Sequence, residues 1–307
     1  MIDVHTHLWP ASETSRELLN YFEKRKMADR LTHFFSSDGL LEMMEKNDIT
    51  KSIVSAIPLR SGLSNDDLAL FNEHVRKETL KAQDRLIGFC TVDPLGGRES
   101  VNILKRHIEE GGFCGLKLHP CIQEFYPNDE RVYALYEAMQ QYGLPVLFHT
   151  GGLGISSFRD SFGQPSLLDD VACRHPELPI LMGHAGRIWY DETAMLLRKH
   201  GCIYADISTN MGRSKEYVSG PMEWLFTRVK VWAGSFDRIL FGSDYPFYFQ
   251  EETLDALKVA QKALNKQSEG FMNNSDISAI TDINPRQFIE RRLSWQNATK
   301  HKRSSNG

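Results

Sequence analysis

Eight short apolar, β-branched runs alternate with amphipathic stretches along 307 residues, and this alternation predicts an α/β protein folded as a (β/α)8 TIM barrel. Two further observations favour a closed sheet over an open, doubly wound one. No GxGxxG follows the first strand, where a dinucleotide-binding sheet would carry it. Residues able to bind metals or move protons stand at the carboxyl ends of strands spread along the whole chain. A barrel gathers such ends on one face, whereas an open sheet separates them.

The strands read IDVH (2–5), KSIVSAI (51–57), LIGFCTV (86–92), GLKL (115–118), PVLFH (145–149), PILMG (179–183), CIYAD (202–206) and RILFG (238–242). Their near-continuous apolar character suits parallel strands covered on both faces. Amphipathic stretches at 38–46, 66–81, 99–110, 129–142, 166–173, 191–200 and 216–232 supply the crossover helices. Two more, at 251–265 and 276–291, follow the last strand and close the fold. Residues 10–35 read as a helical insertion after the first strand, covering part of the barrel mouth. The expectation is one domain over 1–295 and a basic, small and polar tail at 296–307 that is disordered.

Composition narrows the function classes. With 41% hydrophobic and 25% charged residues the chain is an ordinary soluble protein, and its formal charge of −4 gives no global attraction to nucleic acid or anionic membranes. No run approaches the ~20 apolar residues that span a bilayer, and no signal-peptide pattern precedes the first strand. The five cysteines form no CxxC pair, which fits a reducing, cytoplasmic setting. Cys90, Cys114 and Cys202 lie in or beside apolar runs and read as small core side chains. A homo-oligomer is compatible with the sequence.

The strand ends carry the chemistry. In MIDVHTHLWP, His5 and His7 are two residues apart on a strand, so both imidazoles share a face and can reach one cation. Lys117 and His119 follow in GLKLHP, His149 in PVLFHTG, His184 in LMGHAG and Asp244 in LFGSDYP. A single strand-end histidine is ordinarily hydrogen-bonded to its surroundings, but this many at the same end of one barrel point to a site. Arg60 follows the second strand in AIPLR and Arg187 follows GHAG; either guanidinium offers a planar fork for a carboxylate. Trp9, Trp189, Tyr245 and Phe247 lie beside these motifs, where they either wall a substrate ring or pack the fold.

Together DVHTHLWP, GLKLHP, GLPVLFHTG, RHPELPILMGHAG and FGSDYPF resemble the amidohydrolase superfamily, and within it the amidohydrolase-related group typified by aminocarboxymuconate-semialdehyde decarboxylase. Asn284 in INPRQFI is similar to a late asparagine element of that group. The DNase-like relatives fit less well, because they carry a glutamate ligand where this chain reads GLKLHP.

The resemblance implies that His5, His7 and His149 hold a divalent metal, with Asp244 as a further ligand or as the base for its water. One zinc is the expectation, with manganese, iron or cobalt as alternatives. It also implies that His184 polarises the substrate or shuttles a proton, the alternative being a supporting hydrogen bond to a ligand. Lys117 is either carboxylated and shared by two metals, or a charge in a one-metal pocket; one metal is the expectation, and His119 is a further pocket residue. Arg60, Lys117, His119, Arg187 and Trp9 are thus the candidate substrate-binding set, for a small molecule carrying a carboxylate. The implied activity is hydrolysis of an amide, lactone or ester. The alternatives are a nonoxidative decarboxylase or hydratase on the same site, or a noncatalytic metal-stabilised binding protein.

Overall fold

All eight expected strands form in the computed structural model, which describes residues 1–24, 31–213 and 217–290. They are β1 (Ile2–His7), β2 (Lys51–Ser55), β3 (Leu86–Phe89), β4 (Leu116–Leu118), β5 (Val146–His149), β6 (Ile180–Gly183), β7 (Ile203–Asp206) and β8 (Ile239–Leu240). Every pairing is parallel, in the order β1-β2-β3 and β4-β5-β6-β7-β8. Backbone hydrogen bonds join the two runs into a ring. At one seam Cys90 N donates to Gly115 O (3.0 Å) and Lys117 N to Cys90 O (2.7 Å); at the other Val4 N donates to Phe241 O (3.0 Å) and His7 N to Tyr245 O (2.7 Å).

Several strands are shorter than their apolar runs. The reason is visible at β8: Phe241 N turns from the neighbouring strand to Ile280 O (2.9 Å), and Asp244 adopts a left-handed φ of 68°, so the chain leaves the ladder just where it enters the site. The crossover helices are α1 (Arg16–Lys24), α2 (Leu31–Phe34), α3 (Ser37–Lys46), α4 (Asn65–Leu80), α5 (Gly97–Glu109), α6 (Pro120–Gln123), α7 (Tyr133–Tyr142), α8 (Leu167–Arg174), α9 (Tyr190–Lys199) and α10 (Gly220–Ala233). Local signals set their ends: Ser64 and Asp67 form a capping box on α4, and Gly143, in the left-handed region, stops α7. After β8 come α11 (Gln250–Gln267), α12 (Asn274–Ser278) and a π-helical turn (Ala279–Ile283) that runs into a helix over 284–290. The expected tail at 296–307, and residues 214–216 ahead of α10, lie outside the described residues.

Inside the ring, Ile2, Val4, Ile53, Phe89, Leu147, Leu181, Tyr204 and Leu240 pack with Phe288 and Ile289 into a cluster of their own. Strict alternation would send His5 away from the face that Val4 uses. The register of β1 against β2 shifts between Asp3 and Thr6, and this irregularity lets Val4 pack in the core while His5 and His7 also turn inward above it. Asp3, at the same irregularity, clamps the closing seam: its buried carboxylate accepts from Ser243 Oγ (2.6 Å), Ser243 N (3.0 Å), His5 N (3.2 Å) and Gln250 Nε2 (3.3 Å). Asp3→Ala leaves these buried donors without that acceptor, so a loss of about 3 kcal/mol is expected in urea unfolding. A loss under about 1 kcal/mol would show that the seam closes without the clamp.

The insertion is helical as expected where it is described, through a 3-10 turn (Ala11–Glu13), α1 and α2. It is stapled by aromatic rings. Trp9 lies 4.5 Å from Phe35 and 5.5 Å from Phe247, and Phe22 lies 5.7 Å from Phe35 and 5.9 Å from Phe247, ring centre to ring centre. Of the five cysteines, Cys90 and Cys121 are buried, Cys114 and Cys202 half-buried and Cys173 exposed. Among the described residues no helix is long and apolar enough to cross a membrane.

Candidate metal centre

Two glycines make room for the central imidazole. A methyl group on Gly183, at the end of β6, would lie 2.7 Å from His5 Cε1, and one on Gly242, just past β8, would lie 2.9 Å from His5 Cβ. Both distances are inside van der Waals contact, so the glycines of LMGH and LFGSD define the space that His5 fills.

Around it three acceptor atoms converge. His5 Nε2 lies 3.1 Å from His7 Nε2, and Asp244 Oδ1 lies 3.6 Å from the first and 3.3 Å from the second. The second nitrogen of each ring faces an oxygen that can only accept: His5 Nδ1 donates to Asp206 Oδ2 (2.8 Å), and His7 Nδ1 to the carbonyl of Ser55 (3.2 Å). Both protons therefore sit on Nδ1, and both Nε2 lone pairs point inward beside a carboxylate. Burial keeps the pKa of His5 well below 6.5 and lowers that of His7, so both rings stay neutral. Two neutral imidazoles and one carboxylate, each imidazole tied through its far nitrogen, form a donor set that fits a divalent cation.

Lys117 reaches the same point. It is fully buried on β4 with Nζ 3.1 Å from His5 Nε2, and burial pushes its pKa down to about 8 against the opposing pull of Asp244 and Asp206. Below that pH its ammonium repels any cation held by His5; above it the neutral amine does not. Cation affinity should therefore rise as pH increases through about 8, and Lys117→Met should remove that rise. Competition titrations with cobalt from pH 6 to 9 check this, and parallel curves for the two proteins would refute it.

His149, His119 and His184 form a second tier. The His119 and His149 rings stack at 3.9 Å, His184 Nε2 lies 3.0 Å from His149 Nδ1, and the His184 ring stacks on His5 at 4.8 Å. His149 Nε2 is buried and makes no hydrogen bond among the described residues, which leaves it available to a ligand. The ligand atoms of His5, His7 and Asp244 lie within 4.8 Å of one another, as do those of His5, His184 and Asp206, and His149 is in neither trio. His119 caps α6, its Nδ1 accepting from Ile122 N (3.3 Å).

The arginines and Trp9 divide. Arg187 is half-buried near His184, donating to Thr209 Oγ1 (2.9 Å) and Gly152 O (3.0 Å). Arg60 is not brought to the cluster: its side chain is 62% exposed and lies 4.0 Å from Asp67 on α4. Trp9 is fully buried beneath the insertion, with Nε1 donating to Thr14 Oγ1 (3.0 Å), so it packs the core instead of walling a pocket. Phe247 presents an edge-on ring 6.3 Å from His7.

Asp206 and Ser208 escaped the sequence reading. Asp206 Oδ1 accepts from His184 N (3.1 Å) and Ser208 N (3.0 Å), and Ser208 Oγ lies 2.8 Å from His184 Nδ1 while also hydrogen-bonding Asp206 Oδ1. The signal was present, since CIYAD places an aspartate at the carboxyl end of the seventh strand. Around this network His184 (φ 65°), Ala185 (47°), Thr209 (56°) and Asp244 (68°) all adopt left-handed backbone. Such residues cost on the order of 1–3 kcal/mol each and concentrate where function requires them.

A family model described as amidohydrolase, Amidohydro_2, matches residues 2–271. The chain belongs to this amidohydrolase family. Its members are hydrolases or carboxy-lyases, and this amidohydrolase is an enzyme of that kind. No curated protein matches its sequence. Among solved structures it is similar to an uncharacterised TIM-barrel protein of Bordetella bronchiseptica, with TM-score 0.71, 17% identity and coverage of 95% of this chain and 99% of that one. A dihydroxybenzoic acid decarboxylase of a Polaromonas species, solved with manganese and the inhibitor 2-nitroresorcinol, gives TM-score 0.66 at 17% identity over 94% of this chain and 96% of that one. A probable 2-pyrone-4,6-dicarboxylic acid hydrolase of Acinetobacter baumannii, with citric acid bound, gives 0.63 at 15% identity over 94% and 98%. At these identities the likeness establishes the barrel fold.

Proposed function

We propose that this amidohydrolase is a metal-dependent hydrolase that adds water across an amide, lactone or ester bond of a small organic substrate. The observation that carries the reading is the convergence of His5 Nε2, His7 Nε2 and Asp244 Oδ1 on one point. These residues would hold one divalent ion, with zinc first on donor chemistry, and the bound manganese of the Polaromonas structure supports a divalent metal of some kind. The unpartnered His149 Nε2 is proposed as the remaining protein contribution to the ion. When bound, such an ion supplies Lewis acidity and brings the pKa of water toward about 7.

The protein's own groups do the rest. Asp244, whose carboxylate borders the cation position, accepts the proton of the attacking water. His184, held neutral by burial, takes up the proton that Asp244 accepts and passes it to the leaving group, returning to its neutral form. Arg187 and Lys117 hold a carboxylate on the substrate, which agrees with the carboxylate ligand of the Acinetobacter structure. Those two buried or half-buried cations also favour the carboxy-lyase reading, in which an aromatic or unsaturated acid loses CO2 at the same residues.

Turnover of lactones, amides and hydroxybenzoates in 18O-water by the zinc- or manganese-loaded protein separates the two. Label in the product carboxylate supports hydrolysis; CO2 release with no label in the organic product moves the assignment to decarboxylation. Turnover of neither class would overturn both assignments. The loaded protein is expected to hold close to one metal equivalent, and two ions flanking a carboxylated Lys117 would overturn that count.

A further inference from the structure

We propose that Asp206 is a positioning residue that selects the tautomer of His5 and, through the same carboxylate, fixes the backbone of His184. The first role is what makes His5 able to bind a metal, so its consequence rests on the metal-dependent reading above. Asp206 is fully buried, and its two oxygens face different tasks. Oδ2 accepts from His5 Nδ1 at 2.8 Å, which leaves the lone pair on Nε2, the atom that faces His7 and Asp244. Oδ1 accepts from the backbone N–H groups of His184 (3.1 Å) and Ser208 (3.0 Å).

The asymmetry between these tasks makes the role specific. A backbone N–H cannot reverse into an acceptor, so the Oδ1 side demands an oxygen whatever replaces Asp206. In Asp206→Asn the amide oxygen must take that side, and the NH2 group must then face His5 Nδ1. A donor there forces His5 to accept at Nδ1 and carry its proton on Nε2, pointing at the cation position. One exchange of oxygen for nitrogen thus disarms a ligand 201 residues away without removing it. The bond to His184 N–H has its own consequence, because His184 sits at φ 65° and its carbonyl is held by Asn210 Nδ2 (3.0 Å). Asp206 and Asn210 grip the two ends of that unusual residue.

Nitrogen-15 NMR of ring-labelled, metal-free protein reads the tautomers directly and needs neither metal nor activity. In the wild type, His5 and His7 should both be Nδ1–H. In Asp206→Asn, His5 should switch to Nε2–H while His7, tied to the Ser55 carbonyl, stays as it was. Zinc affinity should fall 10- to 100-fold with the circular dichroism unchanged. Ser208→Ala, which removes the longer hydroxyl contact to His5 Nδ1 (3.4 Å) and leaves the contact between His5 and Asp206 (2.8 Å) in place, should retain both the His5 tautomer and the wild-type zinc affinity. An Nε2–H tautomer for His5 in the wild type would overturn the proposal even if the asparagine variant does not fold. So would a folded Asp206→Asn protein with an unchanged His5 and affinity within about twofold of wild type. A wild type that binds no divalent metal would sink the metal-dependent reading alone, since the tautomer switch would still test Asp206.

Discussion

His5→Ala and His7→Ala are each expected to empty the protein of divalent metal and take turnover to background. Each removes one of the three converging acceptors, so the ion would be left with only the other two and the proposed His149 Nε2. Metal affinity should drop by more than about 100-fold, beyond the cost of losing a contact that merely supports a ligand. Elemental analysis after dialysis, alongside circular dichroism, is the measurement. A folded His7→Ala protein retaining a full metal equivalent would mean that the cation binds elsewhere. His5→Ala carries a second signature, because deleting the imidazole also leaves a space between Gly183 and Gly242, where no Cβ stands.

His184→Ala is expected to separate chemistry from metal binding. His184 Nε2 faces His149 and its Nδ1 faces Ser208 and Thr209, so no ring nitrogen of His184 is aimed at the atoms where His7 and Asp244 meet. Metal content should stay near wild type while kcat falls about 10² to 10⁴, the range for losing a positioned acid or base. The pH profile gives an independent check. Burial holds the His184 pKa well below 6.5, so its neutral form is the working one at neutral pH, and activity should fall as pH drops through that lowered value. The acid limb should therefore lie below pH 6.5 and should be altered in the variant. Undiminished turnover with metal retained would leave His184 as a structural residue of the barrel.

Much of this was legible in the sequence because strand and helix periodicities are local. Eight apolar runs gave eight parallel strands, and the HxH pair on β1 does point to one face. What escaped depends on contacts far apart in the chain. The shift in β1 that lets both Val4 and His5 turn inward needs β2 and β8 beside it before it has meaning. Asp206 was passed over because a lone strand-end aspartate carries no HxH-like spacing, although its position obeyed the same strand-end rule as Asp244. Arg60 and Trp9 misled for the opposite reason: proximity to a motif in sequence says nothing about side-chain direction. Arg60 turns to α4 and solvent, and Trp9 turns into the aromatic staple under the insertion.

The four left-handed residues around the site bear on how this protein could be made to tolerate heat. The usual remedy for a non-glycine residue at positive φ is glycine, which relaxes the backbone at no steric cost. At His184 and Asp244 that remedy deletes the side chains proposed to move the protons. At Ala185 and Thr209 it loosens the turns that carry His184 and steady Arg187. The cheapest gains in heat tolerance are thus barred by the chemistry, and an engineer seeking a hardier enzyme would find the room on the outer helices and the insertion, away from the carboxyl face of the barrel.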